Sequence, residues 1–475
     1  MTPIDPNPLL EPWTAPYGLP PFEAIRPEHF VPAFDRALRS HLAEIGAIAT
    51  RQRPPSFENT LAAFDRSGRE LDRIEKLFHN LAASETSPEL QAVEREMAPR
   101  LAAHHSAIYL DAPLFARIDD LHRRQDELDL TSEQLRLLQR VHFDFERAGA
   151  RLDETAKARR AAIVERLAAL STRFGQNVLA DEASYRLPLR GERDLAGLPE
   201  DVRAAARAAA RQRGDEADAI VTLSRSLIVP FLTFSERRDL REEAFRAWIR
   251  RGENDGEHDN RPLAREMLAL RTELARLHGY RSYADYALVD RMAGTPAAVE
   301  RLLAQVWEPA KARAARECDA LRATALAHGE THPIEPWDWR FYAEKVRKAH
   351  YGLDGAALKP YFALDRMLDA AFDTAHRLFG IRFVARPDLR AYHPDVRVFE
   401  VRDRDDRVSG VFLSDNFARP TKRGGAWMSA YRNQSRIDGG TLPIIVNNNN
   451  FAKAAPGAPT LLSADDARTL FHEFG

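Results

Sequence analysis

The last residues of the chain carry the side chains best suited to catalysis. His472 and Glu473 are adjacent, and Phe474 and Gly475 follow them. The pattern His-Glu-x-x-His is typical of zinc peptidases, because two His residues four positions apart on a helix can reach one metal ion. In that pattern the Glu takes a proton from the zinc-bound water as it attacks a peptide carbonyl. His472 is therefore a candidate zinc ligand and Glu473 a candidate general base.

By themselves these residues are a weak signal. A helix can end in His-Glu by chance, and Gly475 suits the position just after a helix end. Ser463 and Asp466 have the spacing of a capping box, and acidic residues are favoured at the start of a helix. A last helix that begins at Ser463 is predicted under either interpretation.

A Gly-containing segment upstream offers further candidates. Lys422 and Arg423 stand beside Gly424 and Gly425, which could suggest an anion cradle. No strand, Gly-rich loop and helix surround them in the order that a phosphate site requires. A loop that lines a peptide channel is the better interpretation, and Arg419, Gly424 and Gly425 are its candidate lining residues.

The segment 408–413 offers a second set of channel candidates. Gly410, Val411 and Phe412 lie in its apolar run. An edge strand at this place could bind an extended peptide through backbone hydrogen bonds. An ordinary structural sheet explains the segment equally well.

Other residues that could do chemistry favour structural interpretations. The aromatic residues Trp337, Trp339 and Tyr342 have spacings more typical of a core than of a binding surface. The remaining His residues, such as His258 and His350, lack a partner at metal-ligand spacing. The single cysteine, Cys318, excludes a disulfide within the chain and a four-cysteine zinc site.

Composition describes an ordinary globular protein. The 475 residues are 44% hydrophobic and 29% charged, with a formal net charge of −2. This balance gives no reason to expect nucleic acid or an anionic membrane as a partner. No basic start followed by an apolar run marks a signal peptide, and no stretch approaches the roughly 20 apolar residues of a membrane span. A cytoplasmic location is the expectation.

Helical periodicity dominates the first part of the chain. An apolar stripe is formed by Val31, Phe34, Leu38, Leu42 and Ile45. Similar patterns at 61–81, 90–108, 130–145 and 156–174 predict a helical N-terminal region. Helical signals return at 240–248, 263–277, 297–326 and 343–349, whereas 221–234 could be a strand or a buried loop. We place the main boundary near residue 220, with a helical region 1–220 and a second region 221–475.

The clearest β signal comes late in the chain. Alternating apolar residues at 396–401 and 408–413 flank Asp405 and Asp406, which predicts a hairpin. The segment 441–446 is a third candidate strand. The predicted fold is therefore mainly α, with a small sheet just before the last helix.

Several segments together resemble the thimet oligopeptidase family of zinc metallopeptidases, and most closely its bacterial dipeptidyl carboxypeptidase branch. The matching segments are 25–30 (IRPEHF), 54–60 (PPSFENT), 334–347 (IEPWDWRFYAEKVR), 358–362 (LKPYF), 417–428 (FARPTKRGGAWM) and 470–475 (LFHEFG). They occur in order over essentially the whole chain. One departure is visible at 447–450 (NNNN), where relatives often carry Cys-Asn. Asn450 can take the Asn role and Asn449 stands in place of the Cys.

The resemblance implies an elongated multi-helix body with a deep channel, one Zn²⁺ ion and short unfolded peptides as substrates. It assigns His472 as one zinc ligand and Glu473 as the general base. The family's second His, its third ligand (a Glu about two dozen residues later) and its substrate-binding Tyr, His and Arg residues would all lie beyond Gly475. We therefore expect the chain to hold only the N-terminal portion of the catalytic domain, with a frayed last helix. We expect this piece to be inactive and not to bind zinc tightly.

The activity expected of the complete protein is zinc-dependent release of C-terminal dipeptides by a monomer. Two alternatives stay open. One is an internally cleaving oligopeptidase of the same family, and the other is a non-enzymatic helical scaffold that binds peptides.

Overall fold

The computed structural model describes residues 7–353, 355–454 and 457–475. Within this part, the backbone forms two compact units that are each discontinuous in sequence. The first comprises residues up to Ala82, Thr86–Gln176 and Asn260–Glu300, and the second comprises Ala83–Glu85, Asn177–Asp259 and Arg301–Gly475. The prediction of a mainly helical chain with a small sheet before its last helix is confirmed.

Helices account for most of the described chain. They are α1 (Phe30–Ala49), α2 (Ala63–Arg66), α3 (Arg69–Ser84), α4 (Pro88–Tyr109), α5 (Ala112–Arg123), α6 (Ser132–Arg147), α7 (Glu154–Ser184), α8 (Gly191–Asp194), α9 (Glu200–Arg213), α10 (Arg225–Phe234), α11 (Arg238–Ile249), α12 (Arg261–Leu277), α13 (Tyr283–Leu288), α14 (Pro296–Ala327), α15 (Pro336–Tyr351), α16 (Gly355–Leu358), α17 (Leu364–Phe379) and α18 (Ala464–Phe474). Short 3-10 turns lie at Pro16–Gly18, Pro27–His29, Gln125–Glu127, Lys359–Tyr361 and Ile437–Gly439, and a π-helical turn lies at Phe57–Ala62.

The strands form two sheets, both in the second unit. They are β1 (Leu187–Leu189), β2 (Ala219–Val221), β3 (Arg382–Ala385), β4 (Arg397–Arg402), β5 (Val408–Phe417), β6 (Trp427–Arg432) and β7 (Ile444–Phe451). The first two pair antiparallel, and the other five form one sheet in the order β3-β4-β5-β7-β6. The predicted hairpin is confirmed as the antiparallel pair β4 and β5, whereas β5 and β7 run parallel.

The first unit is built on packed helix faces. Ile45 and Ile48 of α1 join buried apolar residues of α4, α5 and α6 in one core. Phe34 and Leu38 of the predicted stripe are also buried, whereas Leu42 is exposed. Leu42 lies at the margin of the stripe, where the side chain no longer points toward the neighbouring helices. A smaller core joins Ile163 of α7 to apolar residues of α12 and α13.

Two apolar cores of the second unit include residues of its strands. In one, β1 and β2 pack with α9, α10 and α11. In the other, α17 and α18 pack with Phe451 of β7. None of the described helices combines the length and apolar character needed to cross a lipid bilayer.

The structure bears on two assignments made from the sequence, the segment 221–234 and the division near residue 220. The expectation of a strand or loop over 221–234 is wrong for most of that segment, because α10 begins at Arg225. Leu227, Ile228, Phe231 and Leu232 are buried at helical spacing, so burial on one face selects the helix despite their β propensity. Residue 220 lies in β2, inside the second unit. The division into a helical region 1–220 and a second region 221–475 stays a prediction.

Candidate active site

The start of α18 follows from local hydrogen bonding. The Ser463 Oγ accepts a hydrogen bond from the Asp466 backbone N–H at 3.0 Å, and the Ser463 N–H donates to Asp466 Oδ2 at 3.0 Å. The predicted capping box is therefore confirmed. Each cap of this kind stabilises a helix by about 1 kcal/mol because it satisfies an otherwise unpaired N–H group.

The inner face of α18 is anchored along its whole length. Ala467 and Leu470 are buried against α17 and β7. At the helix end, the Phe474 ring lies 5.3 Å from Phe383 and 5.7 Å from both Phe372 and Phe412, measured between centroids. With Phe399 these residues form an aromatic cluster. In the structure α18 extends to Phe474, where this cluster packs against its last turn. The frayed helix end expected from the sequence stays a prediction.

His472 and Glu473 lie away from this anchored face. The His472 side chain is exposed and Glu473 is half-buried. Within the described part of the chain, neither side chain forms a hydrogen bond or an ion pair. The arrangement presents an imidazole and a carboxylate, side by side, on a helix that is fixed from behind.

The described residues do not complete a zinc site. A catalytic zinc usually takes three protein ligands, drawn from His, Glu, Asp and Cys. Among the described residues, no group of three or more such side chains is placed to hold a metal ion. His472 can supply one nitrogen ligand, and the remaining donors are not found in this part of the structure.

The channel candidates of the segment 408–413 lie in the centre of the sheet. Gly410, Val411 and Phe412 belong to β5, which pairs with β4 on one side and with β7 on the other. The edge-strand interpretation is therefore wrong, because both sides of β5 are already paired. A Cβ atom at Gly410 would lie 3.1 Å from Pro443 Cγ, so close packing explains the glycine. Phe412 belongs to the aromatic cluster that anchors α18.

Arg419 belongs to a buried ion network and not to an open surface. It donates to both carboxylate oxygens of Asp415, at 2.8 and 2.6 Å, and to the Ser84 carbonyl at 2.7 Å. Its Nε lies 2.9 Å from Glu85 Oε2. Lys422 Nζ lies 2.9 Å from Asp415 Oδ1, and both side chains are fully buried. Since Lys422 is committed to this pair, the anion-cradle interpretation finds no support.

The same network shifts the titration of its members. Burial acts to raise the pKa of Asp415, but Arg419 and Lys422 more than offset it, so the pKa is lowered. Burial lowers the pKa of Lys422 to about 8, although Asp415 acts in the opposite direction. Burial and Asp415 raise the pKa of Tyr392 well above its ordinary value. Tyr392 therefore stays a phenol and donates a hydrogen bond to Asp415 Oδ2 at 2.6 Å.

The loop with Gly424 and Gly425 is tied to the end of β7. Asn450 Nδ2 donates to the Arg423 carbonyl at 2.9 Å and to the Gly425 carbonyl at 2.7 Å. Gly425 has a φ of +98°, which disfavours any residue with a side chain. Asn450 therefore fixes the shape of this loop through its side-chain amide. The role of Gly424 and Gly425 as channel lining stays a prediction.

Asn449, where the resemblance leads us to expect Cys in relatives, is buried inside the sheet. Its Nδ2 donates to Asn416 Oδ1 at 3.0 Å, and Asn416 Nδ2 donates to Ser414 Oγ at 2.8 Å. The Oδ1 atom of Asn449 is buried without a partner in the described structure. The Asn449 side chain thus makes one hydrogen bond through its amide NH₂ group, while its side-chain oxygen Oδ1 makes none in the described structure.

The sequence analysis missed Asp415, Tyr392 and Glu85. One signal was present for Asp415, which interrupts an otherwise apolar and small strand segment and is followed by Arg419 and Lys422. A charge inside a predicted buried strand requires a partner, so a search for nearby opposite charges could have found the network. Tyr392 and Glu85 are distant in sequence and gave no local signal.

Comparison with known proteins finds a matching family and several similar peptidases. The pattern described as peptidase family M3 matches residues 231–475. A dipeptidyl carboxypeptidase of Escherichia coli (strain K12) is 38% identical over 470 residues, which covers 99% of this chain and 69% of the relative. Oligopeptidase A of Salmonella typhimurium is 34% identical over 475 residues, with 99% of this chain and 69% of the relative covered. A thimet-like oligopeptidase of Dictyostelium discoideum is 24% identical over 468 residues, covering 94% and 67%.

Proposed function

Because this chain belongs to peptidase family M3, which confirms the metallopeptidase identification, we propose that its protein releases dipeptides from the C-terminal end of short peptides. The observation that supports the proposal is the placement of exposed His472 beside half-buried Glu473 on a helix whose inner face is anchored. The preference for dipeptide release rests on the 38% identity with a relative described as a dipeptidyl carboxypeptidase.

The proposed roles are zinc ligand for His472 and general base for Glu473. Bound zinc would polarise the substrate carbonyl and lower the pKa of a water molecule. Residues 7–475, as described, do not supply the other donors. A polypeptide of residues 1–475 alone is therefore inactive and takes up no stoichiometric zinc, since metal affinity depends on a complete ligand set.

Metal analysis tests this part of the proposal directly. Purified 1–475 polypeptide, dialysed against a zinc buffer, should contain well under one zinc ion per molecule. A His472→Ala variant should give the same low value. One tight ion per molecule that disappears in the variant would contradict the proposal.

The gene provides a second test. The nucleotide sequence after the Gly475 codon should encode His first and a Glu about two dozen residues later. A different continuation, or a stop codon, would remove the basis for the zinc roles of His472 and Glu473.

Dipeptide release is tested on the complete gene product. A hexapeptide with a free C-terminal carboxylate should yield its C-terminal dipeptide, and the same peptide with a C-terminal amide should be cleaved much more slowly. Glu473→Gln should retain zinc but lose at least about 100-fold in kcat, the scale expected for removal of a general base. Internal cleavage of both peptides at similar rates would favour the endo-acting alternative instead.

That alternative keeps one specific support, which is the 34% identity with a relative described as oligopeptidase A. The non-enzymatic scaffold gains none from these comparisons, because the relatives compared carry peptidase names. A monomeric state, a cytoplasmic location and Gly424 and Gly425 as channel lining stay proposals. Light scattering, cell fractionation and kinetics of Gly424→Ala, read as a change in KM, would test them.

A further inference from the structure

Three basic side chains meet around the ring of Tyr286 in the first unit. The Arg147 guanidinium carbon lies 3.9 Å from the Tyr286 ring centroid, and the His278 ring centroid lies 5.1 Å from it. Arg160 of α7 also approaches the Tyr286 side chain. We call Arg147, Arg160, His278 and Tyr286 the Tyr286 cluster. It brings together the end of α6, the first turns of α7, the residue after α12 and the helix α13.

Two polar atoms of the cluster are buried without a partner in the described structure. They are Arg160 Nε and His278 Nε2. A buried polar atom that makes no hydrogen bond costs about 1–3 kcal/mol. One ligand or solvent species in contact with both atoms would satisfy them.

The cluster also lacks a negative charge of its own. Among the described residues, neither Arg147 nor Arg160 forms an ion pair with a carboxylate. Other arginines of α7 do, because Arg159 makes two hydrogen bonds to Glu273 and Arg166 makes two to Glu266. Asp290 is close enough to Arg147 to feel its charge, but its carboxylate accepts from Arg140 at 3.4 Å.

The pKa of His278 reflects its burial first and the neighbouring positive charge second. Burial, followed by repulsion from Arg160 and Arg147, lowers the pKa of His278 to about 4. The imidazole is therefore neutral at pH 7. Arg160 cannot become neutral in this way, because a guanidinium stays charged in proteins.

We propose that the Tyr286 cluster binds one small inorganic anion of the halide class, held by the Arg160 and His278 donors. A single negative charge would satisfy Arg160 Nε and His278 Nε2 and would offset the repulsion between the two guanidinium groups. The buried position of both donor atoms favours a small ion over a polyanion or a peptide carboxylate. This inference is independent of His472 and Glu473 and of the proposed function.

Thermal unfolding of the 475-residue chain provides the first test, with sodium chloride as the probe and sodium gluconate at equal ionic strength as the reference. We expect chloride to raise the unfolding midpoint by about 2–4 °C, because a ligand that binds only the native state stabilises it. Arg160→Gln should abolish the difference between the two salts. Arg173→Gln, which removes an exposed charge on the same helix, should retain it.

A midpoint that is equal in the two salts, or a chloride effect of equal size in all three proteins, would overturn the proposal. Should Arg160→Gln fail to fold, bromide provides a test on the unmodified chain. Crystals grown in sodium bromide should show an anomalous peak beside Arg160 Nε and His278 Nε2. A water molecule at that place, with no anomalous signal, would also overturn the proposal.

Discussion

A buried carboxylate such as that of Asp415 is stable only while its cationic partners stay in place. Lys422 Nζ also donates to the Asn449 carbonyl at 2.6 Å and to the Asp415 carbonyl at 3.1 Å. Lys422→Met would leave the Asp415 carboxylate with Arg419 as its one remaining cation. We therefore expect the free energy of unfolding to fall by about 3 kcal/mol, measured by urea denaturation.

The control for this prediction is Lys453→Met. Lys453 pairs with Asp395 at 2.6 Å, but its side chain is 56% exposed. Loss of an exposed pair costs under about 1 kcal/mol. Similar losses in the free energy of unfolding of both variants would show that the buried pair contributes no more than an exposed pair.

His104 connects burial to pH dependence. Its Nε2 lies 3.0 Å from His41 Nδ1, and burial, followed by repulsion from His41 and His105, lowers its pKa to about 4. Between pH 6.5 and 4 the unfolded chain therefore binds more protons at this residue than the folded chain does. His104 contributes stability that is present above pH 6.5 and is lost as the pH falls toward 4.

We expect His104→Gln to reduce the slope of stability against pH in this range, by up to one proton. Urea midpoints at pH 7, 6, 5 and 4.5 would measure it. His258→Gln, at an exposed position that is not among the groups shifting His104, should leave the slope unchanged. An unchanged slope in His104→Gln would contradict the prediction.

At the scale of elements, the end of α18 depends on one aromatic side chain. Phe474→Ala removes its three ring contacts with Phe372, Phe383 and Phe412. Since Phe474 is half-buried, we expect a loss of about 2 kcal/mol, below the 3–5 kcal/mol of a fully buried Phe. The last turn of α18 should also exchange its amide hydrogens faster.

Phe471→Ala on the same helix is the matched control, because Phe471 is 36% exposed. It should leave both stability and exchange nearly unchanged. If Phe471→Ala were as damaging as Phe474→Ala, anchoring by the aromatic cluster would not explain the order of the helix end.

The sequence predicted elements better than it predicted their partners. Helical periodicity located most long helices, and the turn at Asp405 and Asp406 located the β4–β5 hairpin, where Asp406 adopts a φ of +65°. The strands β3 and β6 were missed, because pairing with a neighbour stabilises a short strand more than its own sequence does. The same reason explains why the sequence left the place of β5 in the sheet open between an edge strand and an ordinary structural strand, since strand order depends on contacts between distant segments.

At the scale of the whole molecule, α14 carries an unusually exposed apolar stripe. Leu302, Leu303, Val306 and Trp307 are 62%, 60%, 59% and 61% exposed in the described structure. Contiguous apolar surface of this kind promotes association. We expect purified 1–475 polypeptide to self-associate and to bind the dye ANS.

A triple variant with Leu302→Gln, Val306→Gln and Trp307→Gln should bind less dye, as measured by fluorescence. It should also need a higher protein concentration before it self-associates, as measured by light scattering. Leu268→Gln is the control, because Leu268 is 63% exposed but lies on a different helix. A reduction of the same size with Leu268→Gln alone would show that the stripe has no particular role.

Local sequence patterns also could not predict the two discontinuous units. Residues 260–300 return to the first unit after the chain has already built part of the second. This return depends on packing such as that of Ile163 against Leu274, between residues more than a hundred positions apart. Candidate site residues could be found when a motif carried them, as for His472, whereas the partners of Asp415 required the folded chain.

The aromatic cluster has a consequence for synthesis on the ribosome. Phe412 and Phe474 are in contact in the folded chain, although Phe474 is added to the growing polypeptide 62 residues after Phe412. At 5–20 residues per second, Phe474 is added roughly 3–12 s after Phe412. Until Phe474 is added, the nascent polypeptide lacks the fifth ring of this cluster, so Phe372, Phe383 and Phe412 cannot complete their packing before synthesis reaches the last turn of α18.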